Sequence, residues 1–588
     1  MRTARIGIQL LALLGSGCLG TLPRHNASGE PAAVFPAHVE LEQLSARPVT
    51  PKVQFEQVDV ERWEVSASTS ASAAVAEPES HWERLLSERF SGSNRKAPGV
   101  RVTRELHCAA REVARFYTET GVYPAQGLRD FLALRCGSTL PRLSIATLHS
   151  AVPDQVPEAA LEQQLETSAQ KMIGELPLEG EAEVGIGFAR GHSRGSLVVL
   201  AGEVKARIVG FSPIVTGVGV NLRGELTEQA SFLFALANQG TLGAVPCETD
   251  RSVALPKFQV FCPFADADRN TRIEIAIRRP KRVMLETVAQ AMLRRSENDG
   301  LAYQPAVYGN DTVAPDAHGF REALYAALNQ ARAAAGKPPL AVEAQQAASN
   351  ERLAPRLFEG LLSGDPLVSD RIALGLMAGW QIGGVIRDGA FLAGTVEGER
   401  RPARFLASQL ERPLGRFLLL DPALSKVAVG TTALEPNGAG AVITAYALFQ
   451  ESERQRDQTL LLNELTQSRA AHNKARPVLM QPSEALRSAM ARIEKERISA
   501  YSALQDTLAD LQSSEPLFGW AVETTDLRQV PWPDELLLPP QLYVEVGLTH
   551  YKPKGGAWGQ FAVVFVVHQG VRQALIEPPP TPDRLARL

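Results

Sequence analysis

Leu328-Asn329-Gln330-Ala331-Arg332-Ala333-Ala334, followed by Lys337, is matched further along the chain by Leu465-Thr466-Gln467-Ser468-Arg469-Ala470-Ala471, followed by Lys474. A second block repeats behind each of these. Val427-Ala428-Val429-Gly430-Thr431-Thr432 with Pro436 and Gly438 corresponds to Val544-Glu545-Val546-Gly547-Leu548-Thr549 with Pro553 and Gly555. The early blocks lie 137 residues apart and the late blocks 117, so the second copy is shorter inside by 20 while the order is kept. Self-similarity at a fixed order bounds the fold before any single element does, because each copy must build the same unit. A weaker third copy lies upstream: Leu85 and Arg89 keep the Leu-x-x-x-Arg spacing, and Val184-Gly185 with Gly195 match Val429-Gly430 with Gly440.

Within a copy the periodicity changes from helical to strand-like. Phe320, Leu324, Leu328 and Ala331 recur at helical spacing, and Leu486, Met490, Ile493, Ala500, Leu504, Leu508 and Leu511 form a longer stripe. Val427 and Val429, then Ala441 to Phe449, read as two strands joined by a Pro/Asn/Gly turn, and Val544, Val546 and Phe561 to Val567 repeat that arrangement. Helices first and an antiparallel hairpin last make an α+β layer fold with helices covering the sheet. Residues 206–285 differ: GVGVNLRGEL, ASFLFAL, KFQVFC and TRIEIAI are short β-rich runs, which predict an inserted all-β sandwich. Val283 to Arg295 reads as a connecting helix, leading from the sandwich into a linker over 286–317.

The middle copy, residues 318–450, resembles the CAP superfamily of cysteine-rich secretory, antigen 5 and pathogenesis-related proteins, also called SCP domains. LNQARAAAGKPPLAVE (Leu328 to Glu343) is similar to the family's opening helix and "PL" turn, and FLLLDPALSKVAVG (Phe417 to Gly430) to its late segment before a glycine-rich strand. Through the repeat the resemblance extends to 451–570, and through the weaker copy to 80–205. It implies tandem αβα sandwiches and an extracellular setting. Family members with a complete cleft carry two histidines and two acidic residues there. Here the first family histidine falls near Leu353 and the second near Gly415, His318 precedes the first helix, and His472 and His550 lie outside any matching motif. No catalytic or metal-binding residue carries over.

The 588 residues correspond to about four domains, with 45% apolar and 21% charged residues, an ordinary globular balance that excludes global disorder. Lys plus Arg number 61 against 65 Asp plus Glu, a formal charge of -4, so no basic field draws the chain to nucleic acid. Arg2 and Arg5 precede the apolar run Ile6 to Leu14, which is followed by Gly15, Ser16, Gly17 and Cys18. This is an export signal rather than a bilayer-spanning helix. LGSGC resembles the bacterial lipoprotein signal, in which the cysteine is lipidated, although Leu14 stands four places before Cys18 rather than three. The alternative is an ordinary signal cut near Gly20. Residues 19–79, with VSASTSASAAVAEPES, read as a flexible tether, and 571–588 as a Pro-rich tail.

Export permits disulfides among Cys108, Cys136, Cys247 and Cys262, and four cysteines allow three pairings. Nearest neighbours are preferred: Cys108 with Cys136 closing a helical hairpin, and Cys247 with Cys262 stapling a β-hairpin. A metal site is the alternative, but no CxxC pair exists and His107 is the only histidine nearby.

Other motifs have bland readings. Gly191-His192-Ser193-Arg194-Gly195 matches the G-x-S-x-G nucleophile elbow, yet Ser196 to Ala201 after it looks like a strand where the elbow needs a helix, so a hairpin turn is preferred. Asp266-Ala267-Asp268-Arg269-Asn270 has the opening spacing of a calcium loop, but Thr271 and Ile277 replace its glycine and glutamate, leaving a solvated turn. The basic stretches 400–416 and 277–282 read as solvated faces, or as contacts to anionic lipid head groups. The expectation is an exported, lipid-anchored, non-enzymatic envelope protein on the periplasmic or cell-surface side. It acts as a binding or structural module, joins the membrane through its lipid, and is expected to use no cofactor or metal; in the binding case a lipophilic or cell-wall ligand is the candidate. The sequence identifies no protein partner. The opposing reading is a serine hydrolase using Ser193.

Overall fold

The computed structural model describes residues 35–45, 51, 63–64, 99–122, 124–151, 180–191, 194–250, 252–264, 270–280, 282, 284–296, 302–363, 365–397, 400–435, 438–511 and 517–568. The export signal with Cys18, Leu85, Arg89, His192, Ser193, Asp266, Ala267, Asp268, Arg269 and the tail 571–588 lie outside the described residues. The chain forms two compact units over its described residues, one of Ala27–Gln381 with Asp388–Tyr446 and one of Ile382–Arg387 with Ala447–Leu588.

The first unit begins with α1 (His38–Ser45) and β1 (Trp63–Glu64), followed by β2 (Gly99–Val102), α2 (Arg104–Thr120), α3 (Gln126–Arg135), β3 (Ser144–Ala151), β4 (Glu181–Arg190) and β5 (Arg194–Glu203). The sheet runs β2-β4-β5-β3, with β2 parallel to β4 and β4 and β5 an antiparallel hairpin. Helix α2 crosses β4 at Gly185, where a Cβ would lie 2.0 Å from the Leu106 carbonyl carbon. Only glycine admits a helix backbone that close. The Cys108–Cys136 disulfide ties α2 to the end of α3.

Next come β6 (Ala206–Val209), β7 (Gly219–Leu226), β8 (Phe232–Gln239), β9 (Gly243–Pro246), β10 (Glu248–Thr249), β11 (Lys257–Pro263), β12 (Asn270–Arg278) and β13 (Glu286–Arg294). They form two sheets, β10-β11-β7-β6 and β13-β12-β8-β9, around one core that includes Leu222, Phe258 and Val260 from the first and Ala235, Ile273, Ile275 and Leu293 from the second. Cys247 lies where the chain passes from β9 to β10, and it is bonded to Cys262 of β11. The stretch read as a connecting helix is therefore strand β13, and 286–294 belongs to the sandwich rather than to a linker. Ala289, Ala291 and Leu293 enter the sandwich core, Gln290 bonds to Pro141 and Met292 packs with Leu134. A strand covered on both faces shows no alternation, so its apolar run imitates a helix.

After β14 (Ala302–Tyr303), which pairs with β1, the middle repeat comprises α4 (Ala317–Ala334), β15 (Ala341–Val342), α5 (Ala344–Ser363), α6 (Pro366–Met377), β16 (Ile386–Glu397), α7 (Pro402–Glu411), α8 (Pro413–Leu419), β17 (Lys426–Leu434) and β18 (Gly438–Leu448). The second unit holds α9 (Arg454–Ala471), β19 (Val478–Leu479), α10 (Glu484–Glu496), α11 (Ala500–Asp510), β20 (Leu517–Thr524), α12 (Asp534–Leu537), β21 (Tyr543–Tyr551) and β22 (Gln560–His568). The orders β15-β17-β18-β16 and β19-β21-β22-β20 reproduce that of the first sheet, each opening with a short strand parallel to the first strand of the hairpin.

Helices lie on both faces of these sheets. In the middle repeat Gly430 faces α5, while the Val429 amide donates to the Tyr325 hydroxyl of α4 at 2.8 Å and the Thr431 hydroxyl donates to the Ala317 carbonyl at 3.0 Å. In the second unit Leu461, Leu465, Val546 and Phe565 form one core and Leu486, Met490, Ile493 and Val564 the other. The fold class is α+β.

The repeated arginine explains the repeated sequence. Arg332 is completely buried and donates to the carbonyls of Pro338 (2.8 Å), Leu419 (2.7 Å), Asp421 (3.1 Å) and Leu424 (3.4 Å). Arg469, equally buried, donates to Ala475 (2.7 Å), Leu536 (2.5 Å), Leu537 (3.4 Å) and Pro539 (2.9 Å). Each guanidinium ties the turn after its own helix to the end of the short helix before the hairpin and the loop that follows it, where carbonyls lack partners within a helix.

Two further expectations are corrected. Residues 35–45 are not a free tether: Phe35 and Leu41 are buried, and Trp380 donates its indole N–H to the Pro36 carbonyl at 3.1 Å. Two apolar anchors suffice to dock a segment whose composition reads as linker. The stripe Leu486 to Leu511 is two helices, because Arg497 adopts a left-handed φ of 56° and the Ser499 hydroxyl caps α11 by accepting from the Ser502 amide at 3.1 Å.

Candidate ligand cavity

In the first unit, α3, β12 to β14, α5, β16 and the α7–α8 junction surround a cavity of about 520 Å³. Its two sides differ chemically. Phe358, Leu361 and Leu362 from α5, Met377 from α6, and Phe391 and Leu392 from β16 give an apolar wall. Leu361 and Leu362 are 37% and 47% exposed, so this wall continues to the solvent.

The other side is charged. Asp130 comes from α3, Arg272 from β12, Tyr303 from β14, and Glu411 and Arg412 from the α7–α8 junction, where Pro413 restarts the helix in a new direction. Tyr303 and Glu411 converge over Gly127, where a Cβ would lie 2.5 Å from the tyrosine oxygen and 3.3 Å from Glu411 Oε2. The Tyr303 hydroxyl donates to the Glu411 carboxylate. Burial pushes the Glu411 carboxyl up to about 7, against the opposing pull of Arg272. Burial likewise raises Asp130, although Arg272, Arg129 and Arg412 oppose it, and it raises the Tyr303 hydroxyl, with the Glu411 charge adding to the effect.

The arginines already have partners. Arg412 pairs with Glu274 and donates from Nη2 to the Thr287 hydroxyl at 2.7 Å, while its Nε has no hydrogen-bond partner among the described residues. Burial would raise Glu274, but Arg412, the Thr287 hydroxyl at 2.6 Å and the Leu414 amide at 3.1 Å outweigh it and hold the carboxyl below its ordinary value. Arg272 donates from Nε to Gln290 at 3.2 Å. Asp130, by contrast, has no hydrogen bond or ion pair among the described residues and faces the cavity half-buried.

The sequence did not point to this site. The basic stretch 400–416, read as a solvated face, is instead internally paired: Arg404 donates to Asp311 at 2.9 Å, Arg412 holds the buried Glu274, and Arg416 donates to the Leu410 carbonyl at 2.5 Å. In 277–282, Arg279 meets Glu228 and Glu286, and Arg282 meets Asp370. Lone opposite charges spread through distant sequence found these cations, and no local pattern announces that. The available signals were Glu411 within a run of cations and the Pro413 break behind it.

The predicted disulfides are both present, Cys108–Cys136 and Cys247–Cys262. His107 lies against the Ile186 backbone, its Nδ1 2.7 Å from the carbonyl oxygen, rather than beside a ligand set. Ser193 itself is outside the described residues, but strand β5 opens at Arg194 and Gly195 pairs with Arg190, so a strand rather than a helix follows the serine, against the strand-to-helix turn that the elbow needs. Asn270, the last residue of the calcium-like spacing, is the first of β12. Leu353 is buried, and His318, His472 and His550 sit in separate settings: beside Arg321, beside the Ser468 carbonyl, and stacked on Phe449. Among the described residues no three His, Cys, Asp or Glu side chains are grouped to hold a metal ion. No described helix is long and apolar enough to cross a membrane.

No family model and no curated protein matches this chain. Two solved structures share elements of it. A cysteine-rich secretory protein from Staphylococcus aureus is 12% identical at a TM-score of 0.17, covering 39% of this chain and 77% of its own. An extracellular protein containing a SCP domain from Bacillus anthracis is 10% identical at a TM-score of 0.17, covering 40% of this chain and 69% of its own. Neither likeness assigns a role to any residue here.

Proposed function

We propose that this chain is an exported, lipid-anchored, non-enzymatic binding protein of the bacterial cell envelope, built from three CAP-like repeats and an inserted β-sandwich, whose first unit holds an amphipathic small molecule. The observation that carries the binding role is the cavity of about 520 Å³, apolar on one wall, charged on the other and open past Leu361 and Leu362. Cavities of this size, with few polar groups set against apolar walls, are the ordinary form of small-molecule sites. Export rests on the N-terminal signal and is supported by two disulfides, which persist in oxidising compartments. The repeated strand order supports the three-repeat division at 80–205, 318–450 and 451–570.

Two experiments test this. Cys18→Ser should leave the protein unlipidated and released from membranes, and unchanged membrane retention would remove Cys18 as the anchor. Native mass spectrometry of the released chain, before and after incubation with a total envelope lipid extract, should show a discrete bound mass. Filling the cavity with Leu392→Trp should abolish it. A clean apo mass in both samples would turn the protein into a scaffold for protein or cell-wall partners.

A further inference from the structure

The cavity's charged side is selective, and this inference rests on the binding role proposed above. Of its ionised groups, the cations are engaged: Arg272 with Gln290, Arg412 with Glu274 and Thr287, and Arg404 with Asp311. Arg142 lines the cavity but is exposed to solvent. The acceptors have capacity to spare. Asp130 has no hydrogen bond among the described residues, and Glu411 receives one, from Tyr303. Two half-buried carboxylates lining one cavity, the Asp130 charge adding to burial in raising Glu411, repel one another and lack full solvation, so a hydrogen-bonding cation between them relieves both penalties at once. An anionic head group would add a third negative charge at that place. The single unpartnered N–H of Arg412 suits a neutral acceptor instead, such as a hydroxyl oxygen of the same molecule.

We infer that the ligand of this cavity is an amine-bearing amphiphile, its protonated amino group seated between Asp130 and Glu411 and its apolar body lying along Phe358, Leu362 and Phe391. The head group is fixed by the carboxylates and the length of the body by the wall that runs out to Leu361.

Three probes with one twelve-carbon body separate the head group from the tail: dodecylamine, dodecan-1-ol and dodecanoate, each titrated calorimetrically into the whole chain carrying Cys18→Ser. The titration is run at about pH 8, where an alkylamine is protonated and Glu411, at about 7, is mostly ionised. Dodecylamine should bind about tenfold or more tighter than the alcohol, and dodecanoate weaker than the alcohol. Asp130→Asn and Glu411→Gln should each cost the amine about tenfold while leaving the alcohol unchanged. Equal binding of amine and alcohol, or tighter binding of dodecanoate, would overturn the amine assignment and leave the cavity as a lipophilic site. Failure of all three probes to bind the unmodified cavity would overturn the binding role itself. Because the probes are compared on the unsubstituted chain, the outcome stands even if a carboxylate variant misfolds.

Discussion

The middle repeat and the last repeat share a frame and differ in one connection. Between β16 and β17 of the middle repeat, residues 398–425 contain α7 and α8, whose junction carries Glu411 and Arg412 into the cavity. Between β20 and β21 of the last repeat, residues 525–542 contain only the four-residue α12. There Trp520 of the edge strand packs on Trp532 at 5.8 Å and Phe565 at 5.9 Å between ring centroids. The edge strand of one repeat lines a charged cavity while that of the other closes on aromatic rings. Yet Arg332 and Arg469 make the same set of carbonyl bonds in both. The frame is held by a buried guanidinium, and the chemistry varies in the connection behind it.

The strongest way to break this comparison is to remove the guanidinium from each repeat in turn. Arg332→Ala and Arg469→Ala each strand several buried carbonyls, at a cost of about 3 to 5 kcal/mol to the unit concerned. Lysine should not rescue either, because one ammonium cannot reproduce the planar fork. Hydrogen exchange should show the loss confined to the first unit for Arg332→Ala and to the second for Arg469→Ala. A loss below about 1 kcal/mol in one but not the other would mean that the shared bonds do not do the same job.

Glu411 separates the repeats by their pH dependence. Burial raises its folded value to about 7 from the ordinary 4.5, with Asp130 adding to the effect and Arg272, the Tyr303 hydroxyl and Arg416 opposing it. A carboxyl raised by folding contributes stability that is fully present below the unfolded value and is lost as pH rises through the folded one. The Glu411 contribution to the first unit's stability should therefore fall by on the order of 3 kcal/mol between about pH 4.5 and pH 8. Glu411→Gln should remove that part of the slope, as the difference between variant and unsubstituted chain, and should leave the unfolding of the second unit unchanged. Urea titrations of both units across this range check the sign as well as the size.

Gly430 and Gly547 occupy the same place in the repeat but face different neighbours. A Cβ at Gly430 would lie 2.2 Å from the Asn350 backbone, whereas at Gly547 its nearest neighbour is the Met490 sulfur at 2.7 Å. Backbone cannot yield and a methionine can, so Gly430→Ala should cost about 2 to 3 kcal/mol and Gly547→Ala less than about 1. Gly185→Ala, against the Leu106 backbone, should follow Gly430. Thermal unfolding of the three variants would thus group the first repeat with the middle one.

These same positions explain what the sequence discloses. Arg332 and Arg469 recur because each holds the same set of backbone carbonyls, and Gly430 is fixed by the Asn350 backbone against it, whereas Gly547 keeps the repeat's glycine beside a side chain that can move. The hairpins and the disulfide pairs were legible for the same reason, since each depends on residues close in sequence. The cavity was not. Asp130, Arg272, Tyr303 and Glu411 come from four separate elements, and no spacing along the chain encodes their meeting. Strand β13 was misread because burial on both faces erases the period that distinguishes strand from helix.

The smallest effect concerns the two left-handed residues of the last repeat. Asn473, with a φ of 56°, follows α9 at the position held in the middle repeat by Gly336, with a φ of 66°. Asparagine tolerates that region, so Asn473→Gly should change stability by no more than a few tenths of a kcal/mol. Arg497, also at 56°, has no such tolerance, and its charge adds to burial in holding the Lys552 ammonium below its ordinary value. Arg497→Gly relieves the strained backbone and the like charge together, partly offset by the added freedom of the unfolded chain. A net gain of about 0.5 kcal/mol in the second unit, with Lys552 titrating higher, is the expected result. If Asn473→Gly stabilises as much as Arg497→Gly, strain at the corner between α10 and α11 is not what distinguishes the last repeat from the middle one.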